Sequence, residues 1–235
     1  MMFEPDVTLT DYVVTAECFL FVYLLQVRAA GQPLKSRQRS LQFWFSLFFA
    51  TAGVASFLGG TRQGFFPDLE SPANQFLDVA AMVVIGLSSL AAWAFSARIL
   101  FNRLVTRIVI LLASISFILY LYCLLFISQS FLVAIVNYLP SAMFALLVFV
   151  LVGIRLRERA AWTGSLGILL VFVGAGVQQA QLSLHPIYFT YNSVYHVIQA
   201  VAMYLIFKVA IWIVGTPHFS PLLSLGHQPG TQDSA

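Results

Sequence analysis

Charge is scarce in this sequence. Of 235 residues, 12 are Lys or Arg and 9 are Asp or Glu, 9% in all, where a soluble domain carries about 25%. Hydrophobic residues make up 60% of the chain and aromatics 15%, and the mean hydropathy is +0.89. So little polar surface cannot cover a water-exposed globule, which excludes a soluble enzyme, a disordered chain and a nucleic-acid binder. Cysteine is nearly absent as well. Cys18 and Cys123 both lie inside apolar runs, which argues against a secreted disulfide framework and a thiolate metal site. The first ten residues contain Glu4 and Asp6 but no Lys or Arg. They lack the charged start of a signal peptide, so the first apolar segment is expected to stay in the protein as a span.

What the chain does have is long apolar runs. A hydrocarbon core of about 30 Å needs roughly 20 such residues in helix. Seven segments qualify, at approximately 8–30, 41–65, 75–98, 104–127, 131–154, 161–181 and 188–213. Backbone groups in lipid must be paired within their own segment, so runs of this length are helices and not barrel strands. The sequence therefore predicts an all-α, seven-helix transmembrane bundle over 1–214, followed by a flexible polar tail over 215–235. Eleven of the 12 basic residues fall on one side of that layout. They are Arg28, Lys35, Arg37 and Arg39 in the first loop, Arg98, Arg103 and Arg107 in the third, Arg155, Arg157 and Arg159 in the fifth, and Lys208 near the end of the last span. The positive-inside rule then places the N-terminus outside and the C-terminus in the cytoplasm. A multi-pass protein of the plasma membrane, or of the inner membrane in a bacterium, is the expected location.

Polar side chains inside spans are costly and mark candidate sites. Here they gather in the outer half. Glu17 is the one carboxylate well inside the first span, roughly 9 Å deeper than Asp11 at 1.5 Å per residue. The two do not share a face; Glu17 stacks over Thr10. In the second span Gly53, Ser56, Gly60 and Gln63 form a small-residue stripe suited to close helix approach. Beside it Arg62, the only base on that side, can pair with Glu17 or with Asp78 in the third span, bind an anionic headgroup, or simply snorkel. The last span carries Asn192, His196 and Gln199 at i, i+4 and i+7, a polar stripe in an apolar helix. His196 is either an interhelical hydrogen-bonding group or an acid–base group, with a residual metal-ligand role as the further reading. The sixth span ends in Gln178, Gln179 and Gln181, with Gly167, Gly174 and Gln178 on one face, which either brings an amide into the same outer cavity or is a glycine packing stripe ending at a wet interface. Tyr188, Tyr191 and Tyr195 read as an aromatic belt. Lys208 reads as snorkelling, not as a retinal lysine, because spans three to six supply no counter-ion apart from Asp78 near the opposite surface.

This layout resembles the CREST superfamily of seven-helix membrane hydrolases, which includes alkaline ceramidases and the progestin/adipoQ receptors. The resemblance implies an acidic motif in the first span, matched by Asp11 and Glu17. It implies Ser-x-x-x-His at the end of the second, where this chain has Gly59-x-x-x-Gln63, an Asp in the third, matched by Asp78, and His-x-x-x-His in the last, where this chain has Asn192-x-x-x-His196. In that superfamily three histidines hold a zinc whose bound water attacks a lipid amide. Only His196 stands at such a position here, and the amides at 63 and 192 are poor zinc ligands. Zinc is thus a doubtful cofactor, with His196 as its one candidate metal ligand.

The expected function is an outward-facing intramembrane cavity for membrane lipids, lipid-binding or related to lipid-amide hydrolysis. His196, Asp78 and Glu17 are the catalytic candidates, and Arg62, Gln63, Asn192 and Gln199 the substrate-binding ones. Two readings of other classes stay open: a small carrier exchanging a proton between Glu17 and His196, and an accessory subunit in which the polar stripe only sets helix packing.

Overall fold

The computed structural model describes residues 3–30, 34–185 and 188–216. Seven helices cross the whole layout: α1 Pro5–Ala30, α2 Ser36–Phe65, α3 Pro72–Leu100, α4 Arg103–Phe126, α5 Phe131–Leu156, α6 Arg159–Gln179 and α7 Tyr191–Gly215. All seven are long and apolar enough to cross a membrane. Among the described residues there is no strand, only an isolated bridge between His185 and Phe189. The tail expected over 215–235 begins with the last residue of α7 and Thr216; from 217 it lies outside the described residues.

Polar residues set where the helices start. Ser71, Asn102 and Ser130 each accept a backbone N–H of the following turn, from Asn74, Val105 and Leu132, supplying partners that the first turn of a helix lacks. α2 begins five residues before the apolar run, because Ser36 to Ser40 continue the helix through polar surroundings. α7 begins at Tyr191 and not at 188, since the preceding segment is held by the His185–Phe189 bridge.

Each helix packs on its sequence neighbour, α1 closes against α7 and α3 packs on α5, while α4 packs on α3 and α5 and reaches α2 through Arg103. A ring of six helices results, with α4 outside it. Close approach within the ring depends on glycine. A Cβ on Gly60 of α2 would stand 2.8 Å from Asp11 Cβ, and one on Gly167 of α6 would stand 2.9 Å from the Ala202 carbonyl oxygen of α7. In α5, Pro140 has no N–H to give the carbonyl four residues before it, and Ser89 of α3 donates to the adjacent Asn137 carbonyl at 3.0 Å.

The two ends of the bundle differ. Toward the C-terminal side, where the chain leaves α7, aromatic rings fill the ring of helices. Phe21 stacks on Phe207 at 4.3 Å and Phe45 on Phe95 at 4.4 Å, and Phe149 lies beyond Phe95. Phe45, Phe49, Phe95 and Phe149 are fully buried. Toward the N-terminal side the same ring encloses a cavity of about 720 Å³.

Candidate functional site

The site begins on α1. Thr8, Asp11 and Thr15 recur at i, i+3 and i+7, facing the glycines of α2: Gly60 meets Thr8 and Asp11, and Gly53 meets Thr15. Thr15 also donates to the Gly53 carbonyl at 3.2 Å. This rotation sinks Asp11 into the bundle, where it is 2% exposed. α7 runs parallel to α1 and brings His196, 7% exposed, alongside it. His196 Nε2 lies 3.3 Å from Asp11 Oδ1, and Nδ1 lies 3.3 Å from Thr10 Oγ1.

The Thr10 hydroxyl donates to the carbonyls of Asp6 and Val7, both at 2.9 Å. With its proton committed there, it accepts from His196 Nδ1–H, which leaves the Nε2 edge to share a proton with Asp11. The arrangement is an acid–base pair oriented by a third group. Asp11 Oδ2 is buried without a hydrogen-bond partner, and Asp11 and His196 both stand on the cavity wall.

The rest of that wall divides by polarity. Arg62, Gln63, Asp78, Gln178, Gln179 and Gln199 join the Asp11–His196 pair. Arg62 Nη1 binds Asp78 Oδ1 at 2.9 Å, with both side chains partly exposed. Most of the remaining lining is apolar: Met82 and Ile85 of α3, Ala134 and Ile135 of α5, and Leu170 and Val171 of α6 among others. Above the cavity a smaller vestibule of about 280 Å³ is lined by Glu4, Arg62, Gln63, Asn74, Gln178 and Asn192 with apolar neighbours. Gln178 donates to Asn192 at 3.2 Å across the α6–α7 seam. At the vestibule rim, burial and the neighbouring Asp6 raise the Glu4 carboxyl above its ordinary range, with Arg62 opposing.

Of the residues expected from sequence, the cavity gathers Arg62, Gln63, Asp78, His196 and Gln199, while Asn192 faces the vestibule. Glu17 belongs to neither wall. It is half-buried, with Oε2 unpaired, and no hydrogen bond or ion pair joins it to His196 among the described residues. The expectation that Glu17 and His196 face each other is therefore corrected: the carboxylate beside His196 is Asp11. The reason is the α1 rotation, which turns the Asp11 face toward the glycines of α2. Of the partners open to Arg62, the structure selects Asp78. The small-residue stripe of α2 also divides, Gly53 and Gly60 packing on α1 while Ser56 and Gln63 line the cavity. Tyr195, read as part of a belt, lines the cavity, whereas Tyr188 is exposed. Lys208 is exposed on the outside of the bundle and is not on the cavity wall.

Two functional positions escaped the sequence reading. Thr10 stands in it only as a neighbour of Glu17, and Asp6 only as an acid in the first ten residues. Asp6 Oδ2 accepts from Thr190 N at 3.1 Å, Thr190 Oγ1 at 2.9 Å and Ser193 Oγ at 2.6 Å. It thus caps the start of α7 from a different helix, a favourable place for a carboxylate, and fixes the register of α1 against α7 that pairs Asp11 with His196.

A zinc centre of the hydrolase type needs three protein ligands. Among the described residues no group of three or more His, Cys, Asp and Glu side chains could hold a metal ion. Asp11 and His196 supply two donors, and Asn192 is engaged by Gln178 in the vestibule. This donor set does not fit such a zinc.

No curated protein and no solved structure matches the chain. A family model does match, over residues 7–213, from the first turn of α1 to the last turn of α7. That match covers the whole ring of helices, the cavity and the Asp11–His196 pair, and the chain belongs to the family of unknown function DUF6962.

Proposed function

We propose that this protein is a multi-pass membrane protein that binds a membrane amphiphile in its N-terminal-side cavity, with the polar head at the Asp11–His196 pair. The observation that carries this reading is the division of the cavity wall. Acids, amides and one arginine crowd the end nearest the membrane surface, and apolar residues of α3, α5 and α6 line most of the rest. A volume of about 720 Å³ falls in the range of sites that enclose one small amphipathic molecule. A head carrying hydroxyl or amide groups satisfies the unpaired Asp11 Oδ2 and the glutamines, while its chain lies along the apolar wall. The positive-inside distribution puts this cavity toward the outer leaflet, with the N-terminus outside.

The pair also supports proton exchange with a bound head, since Asp11 and His196 hold one proton between them and Thr10 orients the ring. A carrier would need a polar route through the C-terminal side, and the stacked phenylalanines occupy that space. The resemblance to seven-helix lipid hydrolases favours the same class of ligand.

The test is native mass spectrometry of the purified protein, comparing wild type with Ala55→Trp, which fills the cavity, and Asp11→Asn. Wild type should retain a lipid through detergent exchange, and Ala55→Trp should lose it. Equal retention in Ala55→Trp would remove the cavity from the account.

A further inference from the structure

On the opposite side of the molecule, four arginines converge where α2 begins, α3 ends and α4 begins. Hydrogen bonds tie three of them into one cluster. Arg37 Nη2 donates to the Arg98 and Ile99 carbonyls at the end of α3. Arg98 Nε donates to Ser40 Oγ at 3.0 Å, and Arg103 Nη2 to Ser36 Oγ at 3.2 Å. Arg107 lies one turn along α4 from Arg103, and Arg98 is close enough to Arg37, Arg103 and Arg107 for their charges to act on one another.

No carboxylate answers this charge among the described residues. The Arg62–Asp78 ion pair and the Asp11–His196 contact both stand on the far side of the bundle. The first turns of α2 and α4 contain no acid either, so two helix N-termini add their positive ends to the guanidinium groups. Arg37 Nε is buried with no acceptor among the described residues, a donor whose desolvation they leave uncompensated. Capping the carbonyls of α3 accounts for one arginine; it does not account for four with no counter-charge.

We propose that this cluster binds the phosphate of an anionic phospholipid in the leaflet on the C-terminal side. Phosphate oxygens accept several charge-assisted hydrogen bonds at once, which matches forked guanidinium donors. A lipid source is favoured over free phosphate by the surroundings. The cluster sits at the ends of membrane-spanning helices, and Leu104, Ile108 and Phe43 are exposed beside it, at 68%, 48% and 56%. They offer acyl chains an apolar seat directly below the charged groups. The inference is independent of the cavity on the other side and of what that cavity holds.

The experiment measures binding of phosphatidylglycerol to the full chain in detergent by native mass spectrometry, with the lipid-induced rise in thermal midpoint as a second readout. Wild type is compared with Arg103→Gln/Arg107→Gln, which spares the cap made by Arg37. An Arg157→Gln/Arg159→Gln variant removes the same charge elsewhere on the same side. Wild type should bind phosphatidylglycerol in preference to phosphatidylcholine and be stabilised by it. At about 1 kcal/mol for each basic residue near an anionic surface, the 103/107 variant should lose about tenfold or more in affinity, and the 157/159 variant little. Equal losses in the two variants would reduce the effect to general surface charge and overturn the site. So would equal binding of phosphatidylcholine, or full retention by the 103/107 variant. Matching stabilisation by inorganic phosphate alone would overturn the lipid as its source.

Discussion

The two ends of one helical ring are built by opposite means. On the C-terminal side phenylalanines from α1, α2, α3, α5 and α7 stack into a solid core. On the N-terminal side small residues, Ala52, Ala55, Gly59, Ala81, Ala134 and Gly174 among them, leave the same ring hollow and line it. Lipid tails are as apolar as a side chain, so burial alone does not hold helices together in a bilayer; packing and interhelical hydrogen bonds do. The filled end supplies the packing. The hollow end relies on glycine contacts and on a few polar pairs, and this frees its interior for a ligand.

The largest effect should come from breaking the filled end. Phe95→Ala removes a fully buried ring stacked on Phe45 and set against Phe48 and Phe149, and should cost about 3–5 kcal/mol in reversible detergent unfolding. Ala55→Phe, which adds bulk to the hollow end, should cost less than about 1 kcal/mol, because the space is already there. Comparable losses in both would show the two ends to be equally packed.

Next comes the polar pair. Asp11→Ala leaves His196 buried without its partner and should cost about 2–3 kcal/mol. The double variant Asp11→Leu/His196→Leu should recover much of that stability while losing ligand binding. With Asp11→Leu and His196→Leu as the two single variants, additive destabilisation in the double would mean that the two side chains do not interact.

Removing the α7 cap should cost less. Asp6→Ala takes away the acceptor of Thr190 and Ser193, for about 1–2 kcal/mol. Hydrogen exchange should rise in the first turn of α7 and leave the C-terminal end of that helix unchanged. Uniform exchange along α7 would count against a local cap.

The smallest effect concerns pH. Glu4 has its carboxyl raised by burial and by Asp6, so the folded protein holds that proton to higher pH than the unfolded chain does. Its ionisation then lowers stability as pH rises above about 4.5, the ordinary glutamate value. Glu4→Gln should stabilise the protein at neutral pH by less than about 0.5 kcal/mol, since the side chain is largely exposed. Below that pH it should make no difference. A stabilisation persisting at pH 4 would assign the effect to packing instead.

How much of this was readable beforehand follows from range. The seven spans were legible because each is long, apolar and sufficient to predict itself; the structure moves their ends by a few residues, most at the polar start of α2. Arg62, Gln63, Asp78, His196 and Gln199 were legible as site residues because polarity inside a span stands out against its neighbours. Glu17 stood out for the same reason, yet the structure leaves it off the cavity, while Asp11, matched to the same acidic motif but not counted among the site residues, lines it. Depth along a helix is read from residue count, but facing is not. Facing depends on which side of α1 meets α2, and the glycines at 53 and 60 set that by letting Thr15 and Asp11 approach.

The sequence by itself determined that this chain makes seven helices with basic residues gathered at one end, since hydrocarbon thickness and backbone pairing leave an apolar run of this length no other option. Only the tertiary structure decided that Asp11, and not Glu17, meets His196, that Arg62 is taken by Asp78, and that one end of the ring is solid while the other is open. Those outcomes depend on rotations of helices about their own axes. In a bilayer such rotations are chosen by close packing and interhelical hydrogen bonds, whose partners lie far apart along the chain.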